Sequence, residues 1–275
     1  MGITIENLGK LESLFETKKW EIIKESDKYS SIFNRFCARL GLFDEKKQDL
    51  LIELGHEFLN IPFNEYQDYF LGALKKIDKI TDYDLIIISP LKTRSPIESK
   101  SADAVWYSLK RFDYTYESLA TKLKFESNWD NIKKLLTKPK SILILVDDFI
   151  GTGGTVRDIL DELHAQSLIL KSDKIMVLTF VAQLQGIKYI NSVYPSIVTC
   201  TKILNRGISD NYTGLDKIEK LALMDEIEKK LKVRDSFRLG YGKSESLFAI
   251  TDRSANNTFP VFWLEESKQL APFKR

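Results

Sequence analysis

The composition is that of an ordinary globular chain. Its 275 residues are 43% hydrophobic and 29% charged, and 41 Lys and Arg residues stand against 39 Asp and Glu residues, for a net charge of +2. These values exclude a disordered, a collagen-like and a small disulfide-rich protein. A net charge this close to zero gives little support for strong DNA binding by the isolated chain, and whether the chain has a nucleic-acid partner is left open. At ~100–200 residues per domain, the length allows one large or two small domains.

Signals for a membrane, for secretion and for a metal held by His or Cys are weak along the chain. The longest strong apolar run, residues 85–88, falls far short of the ~20 residues that cross a bilayer, so no membrane span is expected. The first ten residues do not resemble a signal peptide, which predicts a cytoplasmic protein. Cys37 and Cys200 stand in apolar surroundings and are expected to be reduced, buried thiols, while His56 and His164 have no partner at metal-ligand spacing.

Residues 1–80 have the hydrophobic spacing of helices. Apolar residues recur at intervals of three and four over 33–40, 50–58 and 70–77. Asn64 followed by Gln67 has the spacing of a capping box, which predicts that the third helix begins there. We therefore expect an N-terminal helical region over 1–80, acting as a cap or a partner surface.

From residue 82 the pattern changes to short apolar runs separated by helical segments. Strands are predicted at 85–88, 142–146, 175–181 and 197–204, and helices at 104–112, 131–136 and 156–163. The runs are rich in Ile, Val and Leu with little alternation, as expected for strands covered on both faces. The order predicts an α/β domain over 81–275, with a parallel sheet flanked by helices, right-handed crossovers and a ligand site beyond the carboxyl ends of the strands.

A helical insertion is predicted near 213–232, and a last strand at 246–250. Over 215–231 the helix is charged and amphipathic, and five apolar side chains are expected to face inward: Leu215, Ile218, Leu221, Ile227 and Leu231. Such a helix suits a surface element or a contact with a partner.

The stretch that carries chemistry is 141–155, SILILVDDFIGTGGT. A buried strand ends in two carboxylates, Asp147 and Asp148, and a Gly-rich turn leads into a helix. The turn would present backbone N–H groups at a helix N-terminus, which suits a phosphate. The glycines allow close approach and positive φ, and the threonines add hydroxyl donors; these loop residues are Gly151, Thr152, Gly153, Gly154 and Thr155. Carboxylates beside a phosphate site can accept hydrogen bonds from ribose hydroxyls and help to hold a divalent ion.

Other phosphate-binding loops fit this stretch poorly. A P-loop ends in Gly-Lys-Ser/Thr, whereas this turn ends in Gly-Gly-Thr. A dinucleotide-binding fingerprint places its acidic residue well after the glycines, whereas here the acids come first. A purely structural strand-to-helix turn would explain the glycines but not the paired acids before them.

The stretch resembles the signature of the type I phosphoribosyltransferases, an apolar strand, two acidic residues and a Thr-Gly-Gly-Thr-like loop. The resemblance to the family core covers about 83–263 and implies a Rossmann-like parallel sheet. It implies that Asp147 and Asp148 bind the ribose hydroxyls of phosphoribosyl pyrophosphate (PRPP) or a related nucleotide, while 151–155 holds the 5′-phosphate. It also implies Mg²⁺, carried mainly by PRPP and contacted by the same two carboxylates.

The family's pyrophosphate loop follows the first core strand, which places it at 89–95 here. By this resemblance Lys92 and Arg94 would stabilise the departing pyrophosphate, and the segment 100–102 would begin the next helix beside the same ligand. The match rests on position more than on motif, and an ordinary basic surface loop is the alternative.

The acceptor is less well indicated than the sugar phosphate. Enzymes for 6-oxopurines tend to carry Asp where this chain has Gly151, so the loop is more similar to the adenine and orotate type. The segment 255–263 resembles phosphoribosyltransferase-like proteins of bacterial conflict and anti-phage loci, some of them beside retrons. Asn256 and Asn257 could contact a base edge and Trp263 could stack on the base, or the segment is a packed strand edge.

Three functions remain open at this point. The first is a Mg²⁺-dependent phosphoribosyltransferase acting on an unidentified acceptor, with Asp147, Asp148, Lys92 and Arg94 as its catalytic residues. The second is a non-catalytic module that senses PRPP or a nucleotide. The third is an effector controlled by a protein partner from the same locus. The resemblance makes a homodimer an expectation that the hydrophobic pattern does not test.

Overall fold

A computed structural model gives the structure, and it describes residues 2–21, 31–93, 100–114, 117–170, 174–251, 253–265 and 270–275. The contacts divide the chain into two compact units. One is the continuous stretch 64–204, and the other combines 1–63 with 205–275.

Helices and strands follow one another along the chain as follows. The helices are α1 (Ile5–Lys18), α2 (Ile32–Leu40), α3 (Glu45–Glu57), α4 (Tyr66–Leu74), α5 (Lys100–Lys110), α6 (Trp129–Leu136), α7 (Gly154–Ala165), α8 (Leu184–Asn191) and α9 (Gly214–Lys230). The strands are β1 (Leu59–Ile61), β2 (Leu85–Pro90), β3 (Leu123–Phe125), β4 (Ser141–Ile150), β5 (Ile175–Gln183), β6 (Val198–Leu204), β7 (Phe248–Ile250) and β8 (Arg253–Ser254).

The continuous unit is built on a five-stranded parallel sheet in the order β3-β2-β4-β5-β6. In its register Leu85 lies opposite Ser141, and Leu143 lies opposite Ile175. β4 is the central strand, and its apolar residues 142–146 are buried because helices cover both faces. This confirms the predicted α/β fold with a parallel, Rossmann-like sheet.

Different helices cover the two faces of this sheet. On one face Leu143 and Leu145 of β4 belong to a buried cluster that includes residues of α6 and α7, such as Ile132 and Leu160. On the other face Tyr66 of α4 packs against Phe180 of β5, with ring centroids 5.1 Å apart. The predicted amphipathic helices therefore cover the sheet as expected from their periodicity.

The second unit joins both ends of the chain. Its small sheet has the order β1-β7-β8, with β1 parallel to β7 and β7 antiparallel to β8. Aromatic side chains from distant segments share one core, and Phe58 stacks on Phe273 with centroids 4.4 Å apart. The sequence predicts a boundary near residue 80, whereas the contacts divide the chain after 63 and again after 204. The difference arises because β1 pairs with a strand near the C-terminus.

The predicted capping box does not form. A 3₁₀ turn at Phe63–Glu65 precedes α4, and Glu65 is its N-cap without a side-chain hydrogen bond. The Gln67 amide instead donates to the Asp113 carbonyl over 2.8 Å. The helix itself is where the periodicity predicts it, so the error concerns only its first turn.

The inward face of α9 is also shorter than predicted. Leu215 and Ile218 are 84% and 64% exposed, whereas Ile227, Leu231 and Met224 are buried. Apolar side chains of the helix contact the core of their unit from Leu221 onward, because the first turn of the helix extends beyond that core. No described helix has the length and apolar character to span a membrane. No disulfide joins Cys37 and Cys200, and Cys37 is half-buried whereas Cys200 is buried.

Candidate functional site

The acidic pair lies at the carboxyl end of the central strand. Asp147 is still part of the β4 ladder, where it lies opposite Thr179 of β5, and Asp148 follows it. The apolar residues before the pair hold the strand in the sheet, so the carboxylates come at the edge where parallel sheets bind ligands. Asp147 is buried with 8% of its surface exposed, and Asp148 is half-buried.

Hydrogen bonds hold the first of these carboxylates. Asp147 Oδ1 accepts from the backbone N–H of Asp148 over 2.9 Å and from the hydroxyl of Ser101 over 3.2 Å. Burial raises the pKa of Asp147 well above its usual range, and the charge of Asp148 raises it further. Burial also raises the pKa of Asp148. Two crowded carboxyl groups of this kind favour a shared proton, a cation or hydroxyl donors.

The turn after the pair leads directly into α7. Gly153 is the N-cap and adopts a φ of 84°, while Gly154 is already the first helical residue. A side chain at Gly153 would meet the Gly186 carbonyl oxygen, since a Cβ there would lie 2.7 Å from it. The sequence predicts positive φ for Gly151, Gly153 and Gly154, and of these three only Gly153 adopts it.

Gly186 is a residue that the sequence did not indicate. It belongs to α8, and a Cβ at this position would lie 2.3 Å from the Gly151 carbonyl oxygen. The turn 151–153 thus packs directly on the backbone of α8, which supports its shape. No local pattern around Gly186 predicts this contact, because the partner lies 35 residues earlier in the chain.

The first turn of α7 has the features of an anion site. Its first backbone N–H groups have no acceptor within the helix, and the N-cap glycine has no side chain to supply one. The hydroxyl residues Thr152 and Thr155 are half-buried and exposed, respectively. Together with the helix dipole, these donors suit a phosphate group.

A basic residue follows the neighbouring strand. The Leu91 N–H donates to the Val146 carbonyl over 2.9 Å, so the chain after β2 continues beside the end of β4. Lys92 comes next, and its Nζ lies 2.6 Å from Asp103 Oδ1 on α5. Arg94 and residue 95, the last two residues of the predicted pyrophosphate loop 89–95, lie outside the described residues, as does the side chain of Lys100.

The three base-site candidates belong to the other unit. The Asn257 side chain is buried and donates to Ser244 Oγ over 3.2 Å. Trp263 is also buried and donates from Nε1 to the Thr258 carbonyl over 2.7 Å. Asn256 is half-buried, and its carbonyl accepts from the Tyr241 N–H. Side-chain donors of Asn257 and Trp263 are thus engaged within their own unit.

The donor set at the acidic pair fits Mg²⁺. This ion prefers carboxylate and phosphate oxygens and keeps several waters, so it needs few protein ligands. Asp147 and Asp148 supply such oxygens, and a cation would stabilise the ionised carboxylates against the burial that raises the pKa of both. Within the described ranges no group of three or more His, Cys, Asp or Glu residues could hold a metal ion by itself.

A separate groove of about 680 Å³ lies in the same unit. It is lined by residues at the amino ends of three strands, including Ile142, Ile175 and Val198, and by Lys76 and Lys174. The acidic pair and the glycine turn lie at the opposite ends of the strands, and none of these residues lines the groove.

These features define a class of protein. The parallel sheet, the two carboxylates ending its central strand and the glycine-threonine turn at a helix start make this a phosphoribosyltransferase-like α/β protein. The PRTase-CE family matches residues 57–275, and the chain belongs to that family. No curated protein matches the chain.

Proposed function

We propose that this chain binds PRPP with Mg²⁺ and transfers its ribosyl phosphate to an acceptor, releasing pyrophosphate. The observation that carries the proposal is the acidic pair near the carboxyl end of the central strand, followed closely in the chain by the glycine-capped first turn of α7. A sugar phosphate is the ligand whose hydroxyls and phosphate match these two groups. A related ribose-5-phosphate nucleotide would use the same contacts.

The sugar and its phosphate would be held by different chemistry. Asp147 and Asp148 accept hydrogen bonds from the ribose hydroxyls, which favours the ionised carboxylates despite their burial. The 5′-phosphate accepts from the backbone N–H groups of the turn and from Thr152 and Thr155. The rigid sheet edge thereby fixes the orientation of the anomeric carbon.

In the transfer the bond from the anomeric carbon to the pyrophosphate oxygen breaks, and its electron pair leaves with pyrophosphate. A nucleophilic atom of the acceptor forms the new bond to the same carbon. Positive charge builds on the sugar and negative charge on the leaving group, which the Lys92 ammonium stabilises. Bound Mg²⁺ would neutralise further charge on pyrophosphate. Arg94 is proposed to act alongside Lys92.

The biological setting is part of the proposal. The resemblance of 255–263 to proteins of bacterial conflict loci supports a role in anti-phage defence, beside a retron in some cases. A protein partner encoded in the same locus would then control the activity, and a homodimer is the proposed assembly.

Calorimetric titration with PRPP and Mg²⁺ tests the binding site. We expect binding by the wild-type chain and its loss in the double variant Asp147→Asn/Asp148→Asn, because the amides bind ribose hydroxyls and Mg²⁺ less well. Asp158→Asn is the matched control, since this residue is an exposed carboxylate further along α7. Equal binding by the double variant and the wild type would refute the proposed site.

A sensor of PRPP is the second candidate. It is favoured by the engagement of Asn257 and Trp263 within their own unit, which occupies side-chain donors expected to contact a base. Pyrophosphate release in the presence of a panel of nucleobases separates the two functions. A transferase releases pyrophosphate with its acceptor, whereas a sensor binds PRPP and leaves it intact.

A further inference from the structure

We propose that helix α5 positions both halves of the PRPP site, with Ser101 holding Asp147 and Asp103 holding Lys92. The inference rests on the proposed function and adds two positioning residues to it. Neither residue needs to touch the substrate, because each acts through a side chain that does. The two contacts are independent, and they concern different parts of the ligand.

Ser101 acts on the ribose half. Its hydroxyl donates to Asp147 Oδ1 over 3.2 Å, and the Asp148 N–H donates to the same oxygen over 2.9 Å. Two donors on one oxygen fix the rotation of the carboxylate about its side-chain bonds. The carboxylate is thereby oriented before the ribose hydroxyls arrive, which reduces the entropy lost on binding.

Asp103 acts on the pyrophosphate half. Its Oδ1 lies 2.6 Å from Lys92 Nζ, and both side chains are partly exposed. An ion pair with this exposure adds little to folding stability. The ion pair instead orients the lysine. A lysine side chain has four rotatable bonds, and the carboxylate of Asp103 selects one position of the ammonium. An ammonium has three N–H donors, so the contact with Asp103 leaves donors for an anion.

One rigid element carries both contacts. Ser101 and Asp103 lie in the first turn of α5, and Ala102 between them is fully buried. The helix is tied to the sheet by Trp106, whose Nε1 donates to the Ile88 carbonyl of β2 over 2.8 Å. A displacement of α5 would therefore change the carboxylate at the end of β4 and the cation after β2 together.

Binding of ligand fragments separates the two roles. Titrations with PRPP, ribose 5-phosphate and pyrophosphate, each with Mg²⁺, would be run on the wild type, Ser101→Ala and Asp103→Asn. Ser101→Ala is expected to weaken PRPP and ribose 5-phosphate by about fivefold, the loss of one hydrogen bond, and to leave pyrophosphate unchanged. Asp103→Asn is expected to weaken PRPP and pyrophosphate by a similar factor and to leave ribose 5-phosphate unchanged.

Two further variants serve as controls. Ser108→Ala removes a hydroxyl of the same helix that donates only to the Ala104 carbonyl, and it should bind all three ligands as the wild type does. Ser101→Thr keeps the hydroxyl and should restore binding of ribose 5-phosphate. Thermal unfolding of each variant tests whether a loss of affinity reflects a loss of the folded state.

The outcomes distinguish this inference from the proposed function. If the wild type binds PRPP and both variants bind every fragment as Ser108→Ala does, the positioning roles are overturned while the PRPP site stands. Unchanged or tighter pyrophosphate binding by Asp103→Asn overturns the role of Asp103 alone. If the folded wild type binds none of the three ligands, the proposed function fails and the positioning roles fail with it.

Discussion

At the scale of single residues, Gly153 is where conformation and close contact combine. Its φ of 84° is in the left-handed region, and a Cβ there would lie 2.7 Å from the Gly186 carbonyl oxygen. Both conditions favour glycine, since other residues pay for this φ with strain. The turn that we propose as the phosphate site therefore depends on two glycines that are distant in the chain, Gly153 before α7 and Gly186 in α8.

We predict that Gly153→Ala costs about 1–3 kcal/mol in the free energy of unfolding and weakens PRPP binding, because the turn must shift to relieve strain and contact. Urea unfolding and calorimetry measure the two effects. Gly154→Ala is the matched control, since its Cβ would have 4.0 Å to the nearest atom, Thr152 Oγ1, and should leave stability nearly unchanged. A Gly153→Ala protein as stable as Gly154→Ala would contradict the prediction.

Glu228 is a second residue with a testable consequence. It is almost fully buried in α9, and its two carboxylate oxygens accept from the Leu239 N–H over 2.9 and 3.1 Å. Burial raises its pKa to about 7, although the Leu239 N–H and the charge of Arg238 oppose the rise. The folded state therefore binds a proton at this site more tightly than the unfolded state does.

The stabilisation from this proton is complete below pH 4.5, the pKa of the group in the unfolded state, and it is lost as the pH rises through the folded-state pKa of about 7. We predict that stability falls between about pH 5 and about pH 8, and that Glu228→Gln removes up to about 3 kcal/mol of that fall. Urea unfolding across this range measures it. Glu219→Gln, an exposed carboxylate of the same helix, should keep the wild-type slope. Parallel pH profiles of wild type and Glu228→Gln would refute the prediction.

At the scale of elements, helix α2 is held to the C-terminal segment by a buried arginine. Arg39 is 1% exposed, and it donates to the Leu264 carbonyl over 2.6 Å and to the Leu270 carbonyl over 3.1 Å. Burial lowers the pKa of this guanidinium to about 10. One side chain thus joins a helix near the start of the chain to carbonyls near its end.

We predict that Arg39→Met destabilises the protein by about 2–3 kcal/mol, because two buried carbonyls lose their charged donor while the volume is nearly kept. Chemical denaturation provides the measurement. Arg234→Met removes an exposed arginine of the same unit and should change stability by less than about 0.5 kcal/mol. If the two variants unfold at the same denaturant concentration, the carbonyl contacts of Arg39 contribute nothing.

Four of the five strands of the parallel sheet could be predicted because their signals are local, whereas the three-residue edge strand β3 could not. The run 142–146 is apolar throughout, which indicates a strand buried on both faces, and the helix over 156–163 has a clear apolar stripe. The first turn of α4 and the exposed start of α9 could not be predicted in this way. The Gln67 side chain donates to the carbonyl of Asp113, which is distant in sequence, and Leu215 extends beyond the core. Both features depend on tertiary structure and not on the local sequence.

At the scale of the whole molecule, the acidic pair and the turn were placed together by sequence alone, since they are consecutive. The contacts of Ser101 and Asp103 were not, because they depend on how α5 lies on the sheet. The division into units was equally out of reach. The division depends on the pairing of the three-residue strand β1 with β7. A strand this short has too little periodicity to be predicted, and its partner cannot be predicted either.

The pairing of the two chain ends has a consequence for synthesis on the ribosome. Residues 64–204 form a continuous unit that can fold as soon as it has emerged, whereas the unit containing 1–63 lacks β7 and Phe273 until residues 248–273 have been made. At a translation rate of ~5–20 residues per second, Phe273 is made at least ~10 s after Phe58, the residue on which it stacks. Residues 1–63 are therefore translated before 64–204 but complete their core after it, and their aromatic side chains lack part of that core throughout the interval.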